Sequence, residues 1–558
     1  MRVLTLACLT ASLAACAAPV HDAVRPDQRV HAIDVPSATR DQETAAWWFR
    51  AGAAAAADHG AMAGRAKNVI IFLGDGMSLT TVAAARILDG QRKGGSGEEN
   101  RLAWEYFPGT ALSKTYNVDA QTPDSAGTMS AIATGVKTRA GVLSVGPGPM
   151  RGDCAGARAA PMLTLMELAK AAGMATGVVT TTRITHATPA ATYSHSADRN
   201  WENDTQVPET ARAQGCIDIA RQLVDLPDAV APDVVFGGGR MHFMTVEQRD
   251  PEEDDKVGLR LDGRDLIADW KAKHPGGAYV WNREQLAAAR GKAPILGLFE
   301  YDHLHFEYDR KDDPGEPSLA ELTSAAIARL QTGKAGFVLL VEGGRIDHAH
   351  HYGNAYRALT DTIAMSEAVQ AAVDATSADD TTILVTADHS HTLTFAGYPL
   401  RGNPILGKVR GSSGEDEGGD LVVDGTGLPY TTLGYANGPG YAGASASQPA
   451  GPKTFFHQGS GFQRSDGRPD LSDVDTTDPN YMQESVVPLG NETHGGEDVG
   501  VWARGPGANA VRGSIEQNVI FHLLEQSTPK LRERLCAQQL CNADGVPVIL
   551  PRPEDFRR

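Results

Sequence analysis

The sequence predicts an α/β protein built on a central, mostly parallel sheet with helices on both faces. Three observations predict it. Short runs rich in β-branched and apolar residues recur along the chain, and segments with helical periodicity lie between them. The runs are continuously apolar rather than alternating, which is the pattern of strands buried on both sides.

The first run, residues 68–73, ends in Gly74-Asp75-Gly76, and the second, 175–181, runs into 182–186. Residues 337–341 lead into Glu342-Gly343-Gly344, and 381–386 into Ala387-Asp388-His389. Helical patterns span 162–172, 319–330 and 355–375. Ligand sites in such sheets lie beyond the carboxyl ends of the strands, and all four polar clusters fall there.

Two stretches interrupt the rhythm. Residues 238–318 are rich in acids, Pro and Gly, and residues 401–490 in Gly, Ser, Pro and Asp. Both read as insertions on one catalytic domain spanning 67–530, the second as a small β subdomain beside the site. Residues 17–66, with the alanine run 53–57, read as a tether followed by one surface helix, so that the fold proper begins at Lys67. Residues 531–558 read as a C-terminal tail.

The 558 residues carry 51 basic and 69 acidic side chains, a net charge of −18. That balance argues against a nucleic-acid or anionic-membrane binder, which needs a basic face. An enzyme acting on anions would need local cations instead, either Arg or bound metal.

Arg2, the apolar residues 3–13 and Leu13-Ala14-Ala15-Cys16 form a secretory leader too short to span a bilayer. Its end resembles the lipobox of bacterial lipoproteins, with Cys16 as the lipidated residue; the alternative is a cut near Ala18. Either way the chain is exported, and a periplasmic or outer-membrane lipoprotein is expected, with an extracellular protein as the alternative. Setting aside Cys8 and Cys16, four cysteines remain, which allow three disulfide connectivities. The nearness of Cys536 to Cys541 favours that pair, leaving Cys154 with Cys216.

Ser125 stands in Thr122-Pro123-Asp124-Ser125-Ala126-Gly127-Thr128, at the start of a helix-like stretch. A hydroxyl at a helix amino end is exposed and its alkoxide favoured, although a simple N-cap looks the same. No G-x-S-x-G elbow surrounds it. Asp347 and His351, four apart on a helix starting after a strand, share one face and can grip one ion. Asp75 between glycines, Glu342, the Asp388-His389 pair and the late His494 add oxygens and imidazoles at successive strand ends. Each alone is also a turn, a cap or a solvated histidine. Together they make a ligand set suited to Zn²⁺ or Mg²⁺. Arg199, in Asp198-Arg199-Asn200-Trp201, supplies a fork for two phosphate oxygens.

With these residues assembled, the chain resembles the alkaline phosphatases, particularly the branch of the animal enzymes, from about Lys67 to Thr528. The segments 124–128, 178–189, 341–351, 386–391 and 493–498 carry the resemblance. It implies hydrolysis of small phosphate monoesters through a phosphoserine at Ser125, with Arg199 clamping phosphate and Asp124 orienting it. It implies two zinc ions, one held by Asp347, His351 and His494, the other by Asp75, Asp388 and His389. It implies one magnesium at Asp75, Thr188 and Glu342, with His186 near its waters. Glu252, the Phe299 carbonyl, Glu300 and Glu316 resemble that branch's calcium site, with Glu316 standing where the family commonly has Asp. The two cysteine pairings match disulfides of the animal branch. A homodimer and a small crown-like insert are further implications, although residues 401–480 match the insert poorly. A sulfatase would need C/S-x-P-x-R around its nucleophile, and none surrounds Ser125. A diesterase usually carries Thr as nucleophile.

Overall fold

The computed structural model describes residues 33–289, 291, 294–411 and 419–557. The expected leader and Cys16 lie outside the described residues. Among the described residues no helix is long and apolar enough to cross a membrane.

Ten strands form the central sheet: β1 (Asn68–Gly74), β2 (Gly109–Lys114), β3 (Ala175–Arg183), β4 (Val234–Gly238), β5 (Ala278–Val280), β6 (Ile295–Leu298), β7 (Phe337–Gly343), β8 (Thr381–Ala387), β9 (Val499–Arg504) and β10 (Arg512–Glu516). Their order is β10-β2-β9-β8-β1-β7-β3-β4-β6-β5. Only β9 runs antiparallel to its neighbours, β2 and β8; every other pairing in this sheet is parallel.

The unbroken apolar runs are explained by burial on both sides. In β1, Val69, Ile71 and Leu73 join the core formed with helices Ala45–Asp58, Ser125–Thr134 and Val519–Ser527. Ile70 and Phe72 point to the opposite core, packed by helices Leu79–Arg92, Leu319–Leu330 and Ala355–Ala375. No residue of β1 faces water.

Three expectations are corrected. The alanine-rich helix Ala45–Asp58 is not a surface element, since Trp48 is 3% and Phe49 0% exposed. Small residues let it press against Val519–Ser527, where Asn518 Nδ2 donates to Trp48 O and Gln526 Nε2 to Ala53 O, both at 2.9 Å. The packed fold therefore starts well before Lys67. Within 238–318, β5 and β6 extend the central sheet, so that segment is not wholly an insertion. The tail after 531 is also docked: Leu531, Leu535 and Phe556 are buried in the first core.

Beside the site, Leu393–Phe395, Leu433–Gly438 and Ser485–Pro488 form a separate three-stranded sheet. Disulfides join Cys154 to Cys216 and Cys536 to Cys541.

Parallel register positions the site. Gly74 of β1 is level with Gly343 of β7 and Ala387 of β8. The residues that follow these three adjacent strands therefore emerge together, at the carboxyl edge of the sheet.

Candidate metal centre and active site

Helix Arg345–His351 begins directly after β7 and Gly344, placing Asp347 and His351 on one face. His494 reaches the same point because His494–Gly495 pairs with Ser390–His391, setting His494 opposite His391. Asp347, His351, His391 and His494 gather their donor atoms within 4.8 Å of one another. His351 Nε2 lies 3.3 Å from Asp347 Oδ2, and His494 Nε2 lies 3.4 Å from Asp347 Oδ1.

The outer nitrogens of these rings are already committed. His351 Nδ1 donates to Glu492 O at 2.6 Å, and His494 Nδ1 to Pro123 O at 2.8 Å. In the neutral rings both Nε2 atoms must then be lone pairs, yet they face each other at 3.2 Å. Two lone pairs at that distance repel unless a proton or a metal ion lies between them. Burial, against the Asp347 carboxylate, pushes His351 down and keeps it neutral.

A second group adjoins the first. Asp75 follows β1, and Asp388 and His389 follow β8; the three share one cluster. His389 Nε2 is 3.3 Å from Asp75 Oδ1 and 3.4 Å from Asp388 Oδ2. Asp388 is steadied by Gly76 N–H (3.1 Å), by its neighbour His389 N–H (3.0 Å) and by Thr128 Oγ1 (3.1 Å). Gly76 has φ 68°. A Cβ on it would fall 2.3 Å from His391 Cδ2, so the turn admits only glycine. Asp75 is wholly buried, and neither of its carboxylate oxygens has a hydrogen-bond partner. Burial, then the carboxylates of Asp388, Asp347 and Glu342, push it well above its usual range. An acid in that position is stabilised by a proton or by a bound cation.

Asp75 also joins His186 and Glu342 in a third group. Glu342, in β7, accepts hydrogen bonds from Thr180 and Thr182, and Thr188 lies beside it. Burial raises Glu342 to about 7. His186 sits in this cluster itself, not merely near it, and its Nε2 accepts from Arg199 Nη2 at 3.0 Å. Burial, with the Arg199 and Arg183 cations, holds His186 down to about 3, so the ring is neutral and able to accept.

Ser125 is the first residue of helix Ser125–Thr134, and Asp124 is its N-cap, accepting from Ala126 N–H at 3.0 Å. The Ser125 hydroxyl is 3.0 Å from His389 Nε2. Arg199 Nη1 donates to Asp124 Oδ2 at 2.7 Å, while Gly141 N–H holds Oδ1 at 2.7 Å. Against burial, which raises it, the Arg199 guanidinium holds Asp124 at about 2. The Ser125 hydroxyl, the Arg199 guanidinium and the acid clusters thus lie side by side at the carboxyl edge of the sheet.

Glu252, Phe299, Glu300 and Glu316 lie elsewhere, grouped near the carboxyl end of β6. Sequence reasoning missed His391, whose Nε2 is 2.7 Å from Asp347 Oδ1 and whose Nδ1 is 2.5 Å from Glu492 Oε2. Strand alternation was the available signal, since residues 389 and 391 point to one side.

Comparison with known proteins agrees. The family pattern described as alkaline phosphatase matches residues 66–529. The chain is 44% identical over 468 residues to the tissue-nonspecific alkaline phosphatase of Gallus gallus, covering 82% of this chain and 84% of that one. It is 43% identical to the Homo sapiens counterpart over 468 residues, covering 82% and 83%. Among solved structures, Thermus thermophilus alkaline phosphatase superposes with a TM-score of 0.56 at 25% identity, covering 85% of this chain and 96% of that one. The Antarctic bacterium TAB5 enzyme shares the fold, with a TM-score of 0.52 at 19% identity and coverage of 84% and 98%. On fold, site and kinship, the chain belongs to the alkaline phosphatase family and is a phosphomonoesterase.

Proposed function

We propose that this phosphomonoesterase works through a phosphoserine at Ser125, with zinc at two clusters and magnesium at a third. Asp347, His351 and His494 would hold one zinc, and Asp75, Asp388 and His389 the other. Asp75, Thr188 and Glu342, with His186 at their side, would hold magnesium. The observation that carries the reading is the pair of opposed Nε2 lone pairs on His351 and His494, beside the unpartnered carboxylate of Asp75. Nitrogen with oxygen suits zinc at the first two clusters; at the third the Asp75, Thr188 and Glu342 oxygens suit magnesium, the neighbouring His186 Nε2 being taken up by Arg199. When bound, such ions activate the serine hydroxyl and stabilise the charge on the leaving oxygen.

The chain's own groups account for the rest. Ser125 Oγ gives up its proton to solvent and attacks phosphorus in line; the ester P–O bond breaks and the departing alkoxide takes a proton from solvent to leave as the alcohol, so that phosphoserine remains. Water then attacks the same phosphorus, the Oγ–P bond breaks, and phosphate leaves with the serine restored. Arg199 spans two equatorial oxygens, and Asp124 and His186 lock its fork before substrate arrives.

The substrate is a small phosphate monoester. The leader motif supports export and a lipid on Cys16, and the family resemblance supports a homodimer. Labelling with a radioactive phosphate donor tests the chemistry. Wild type should trap acid-stable phosphoserine, while Ser125→Ala should trap none and lose turnover by several orders of magnitude, with zinc retained. Label or turnover surviving in the variant would refute the covalent route.

A further inference from the structure

Arg199 is held by more than the two partners of its guanidinium. Its backbone N–H donates to Gly141 O at 2.9 Å, Gly141 N–H donates to Asp124 Oδ1 at 2.7 Å, and the Arg199 fork rests on Asp124 Oδ2. Gly141, Asp124 and Arg199 thus close a ring that ties the fork to its own backbone. Gly141 stands at φ 77°, and the side chain of Arg151 covers its open face: a Cβ there would fall 2.5 Å from Arg151 Cδ and 2.6 Å from Arg151 Nε.

Arg151 reaches across this glycine to the residue before Arg199. Its Nε and Nη2 donate to Asp198 Oδ2 and Oδ1 at 3.0 and 2.8 Å, a bidentate pair. Asp198 Oδ1 also accepts from Asn200 N–H at 2.9 Å, so the same carboxylate closes a turn centred on Arg199. Gly152 N–H, next to Arg151, donates to Ala197 O at 2.9 Å and joins the two loops a second time. The side chains of Arg151 and Asp198 are 43% and 20% exposed. A pair so open to water adds little to global stability, yet it fixes the direction of a turn with the phosphate fork at its centre.

We propose that Arg151 and Asp198 are positioning residues for phosphate binding: their pair holds the Asp198–Asn200 turn so that Arg199 meets the phosphoryl oxygens already aimed. The inference rests on Arg199 as the phosphate clamp. Arg151 also lies in the fields of Asp124 and Arg199, so simple attraction between its charge and phosphate is the competing account. The two accounts differ in sign at Asp198.

Inhibition constants of inorganic phosphate, with steady-state rates on a small aryl phosphate, test the proposal, because an inhibition constant does not depend on how much of the enzyme is folded. Arg151→Ala should raise the phosphate constant and KM roughly fivefold, the size a well-formed surface pair can carry, with kcat within about twofold of wild type. Arg151→Lys keeps the charge without the fork and should recover only part of that loss. Asp198→Asn should also weaken phosphate, although removal of a negative charge by itself would strengthen it. In an Arg199→Ala background, Arg151→Ala should change nothing further, since its effect runs through the fork. An unchanged phosphate constant in Arg151→Ala, full rescue by Lys, tighter phosphate in Asp198→Asn, or an equal loss in both backgrounds would overturn the proposal. Unchanged phosphate binding in Arg199→Ala alone would refute the clamp itself, and the positioning role with it. Should Arg151→Ala fail to fold, the Lys and Asn variants decide.

Discussion

Replacing Arg199 by Ala gives the sharpest measure of how phosphate is held. Of the five guanidinium N–H groups, one on Nη1 is spent on Asp124 at 2.7 Å and one on Nη2 on His186 at 3.0 Å. The remainder can face a phosphoryl group already oriented. Two charge-assisted bonds contribute about 1.5–3 kcal/mol each, and water entering the vacated space recovers part of that. A net loss of about 3–4 kcal/mol corresponds to a roughly 10²- to 10³-fold fall in kcat/KM. Inorganic phosphate should weaken as a competitive inhibitor in the same variant. Arg199→Lys keeps the charge but not the fork, so it should recover only part of the loss. Steady-state rates on a simple aryl phosphate, with zinc content measured in each variant, supply the test. A fall of less than tenfold in Arg199→Ala, or equal losses in the Lys and Ala variants, would refute a preorganised two-oxygen clamp.

Glu167 is 1% exposed and, against burial, is held at about 2 by His195 and Arg557. Its carboxylate therefore stabilises the fold fully above its ordinary value of 4.5, and that contribution fades as pH falls towards 2. Glu167→Gln should be about 3 kcal/mol less stable at pH 7. Denaturation midpoints should show that gap shrinking by more than half at pH 3, and a pH-independent gap would count against it. Gly52→Ala should lower the melting temperature despite its better helix propensity, because the added Cβ would sit 2.5 Å from His522 Cδ2 and 2.8 Å from Asn518 Nδ2. Crowding of this kind costs about 1–3 kcal/mol, more than the ~1 kcal/mol that propensity returns; a rise in melting temperature would contradict the packing. Removing the Cys154–Cys216 bridge, which spans 62 residues, should cost about 4 kcal/mol by loop entropy. The Cys536–Cys541 bridge spans 5 and should cost about 2 kcal/mol, so the reverse order in unfolding experiments would refute the entropic account.

The parts of the fold most legible in the sequence are those buried on both sides. Strands β1, β3, β7 and β8 announce themselves as unbroken apolar runs, and each starts where the run does. Strand β5 at the sheet edge and its neighbour β6 span 278–280 and 295–298 and are too short to stand out from the acid-rich stretch around them. The helix Ala45–Asp58 reads as a surface element for a physical reason: close packing between helices can be done by Ala and Gly, which carry little hydrophobic signature of their own. In the site, Asp75, Asp347, Asp388 and His389 were legible because acids and imidazoles ended successive strands. His391 and Glu492 were less so, since their role is visible only once His494 is paired opposite His391.

The level register of β1, β7 and β8 carries a consequence for how the protein matures. Asp75 leaves the ribosome hundreds of residues before His494, and the strands that set Asp75, Asp347 and Asp388 at one height must pair before any ion can be gripped from two sides. A half-made chain offers scattered acids with little hold on a dication, whereas the finished sheet offers a vice. Metal uptake would therefore mark completion of the fold rather than guide its beginning.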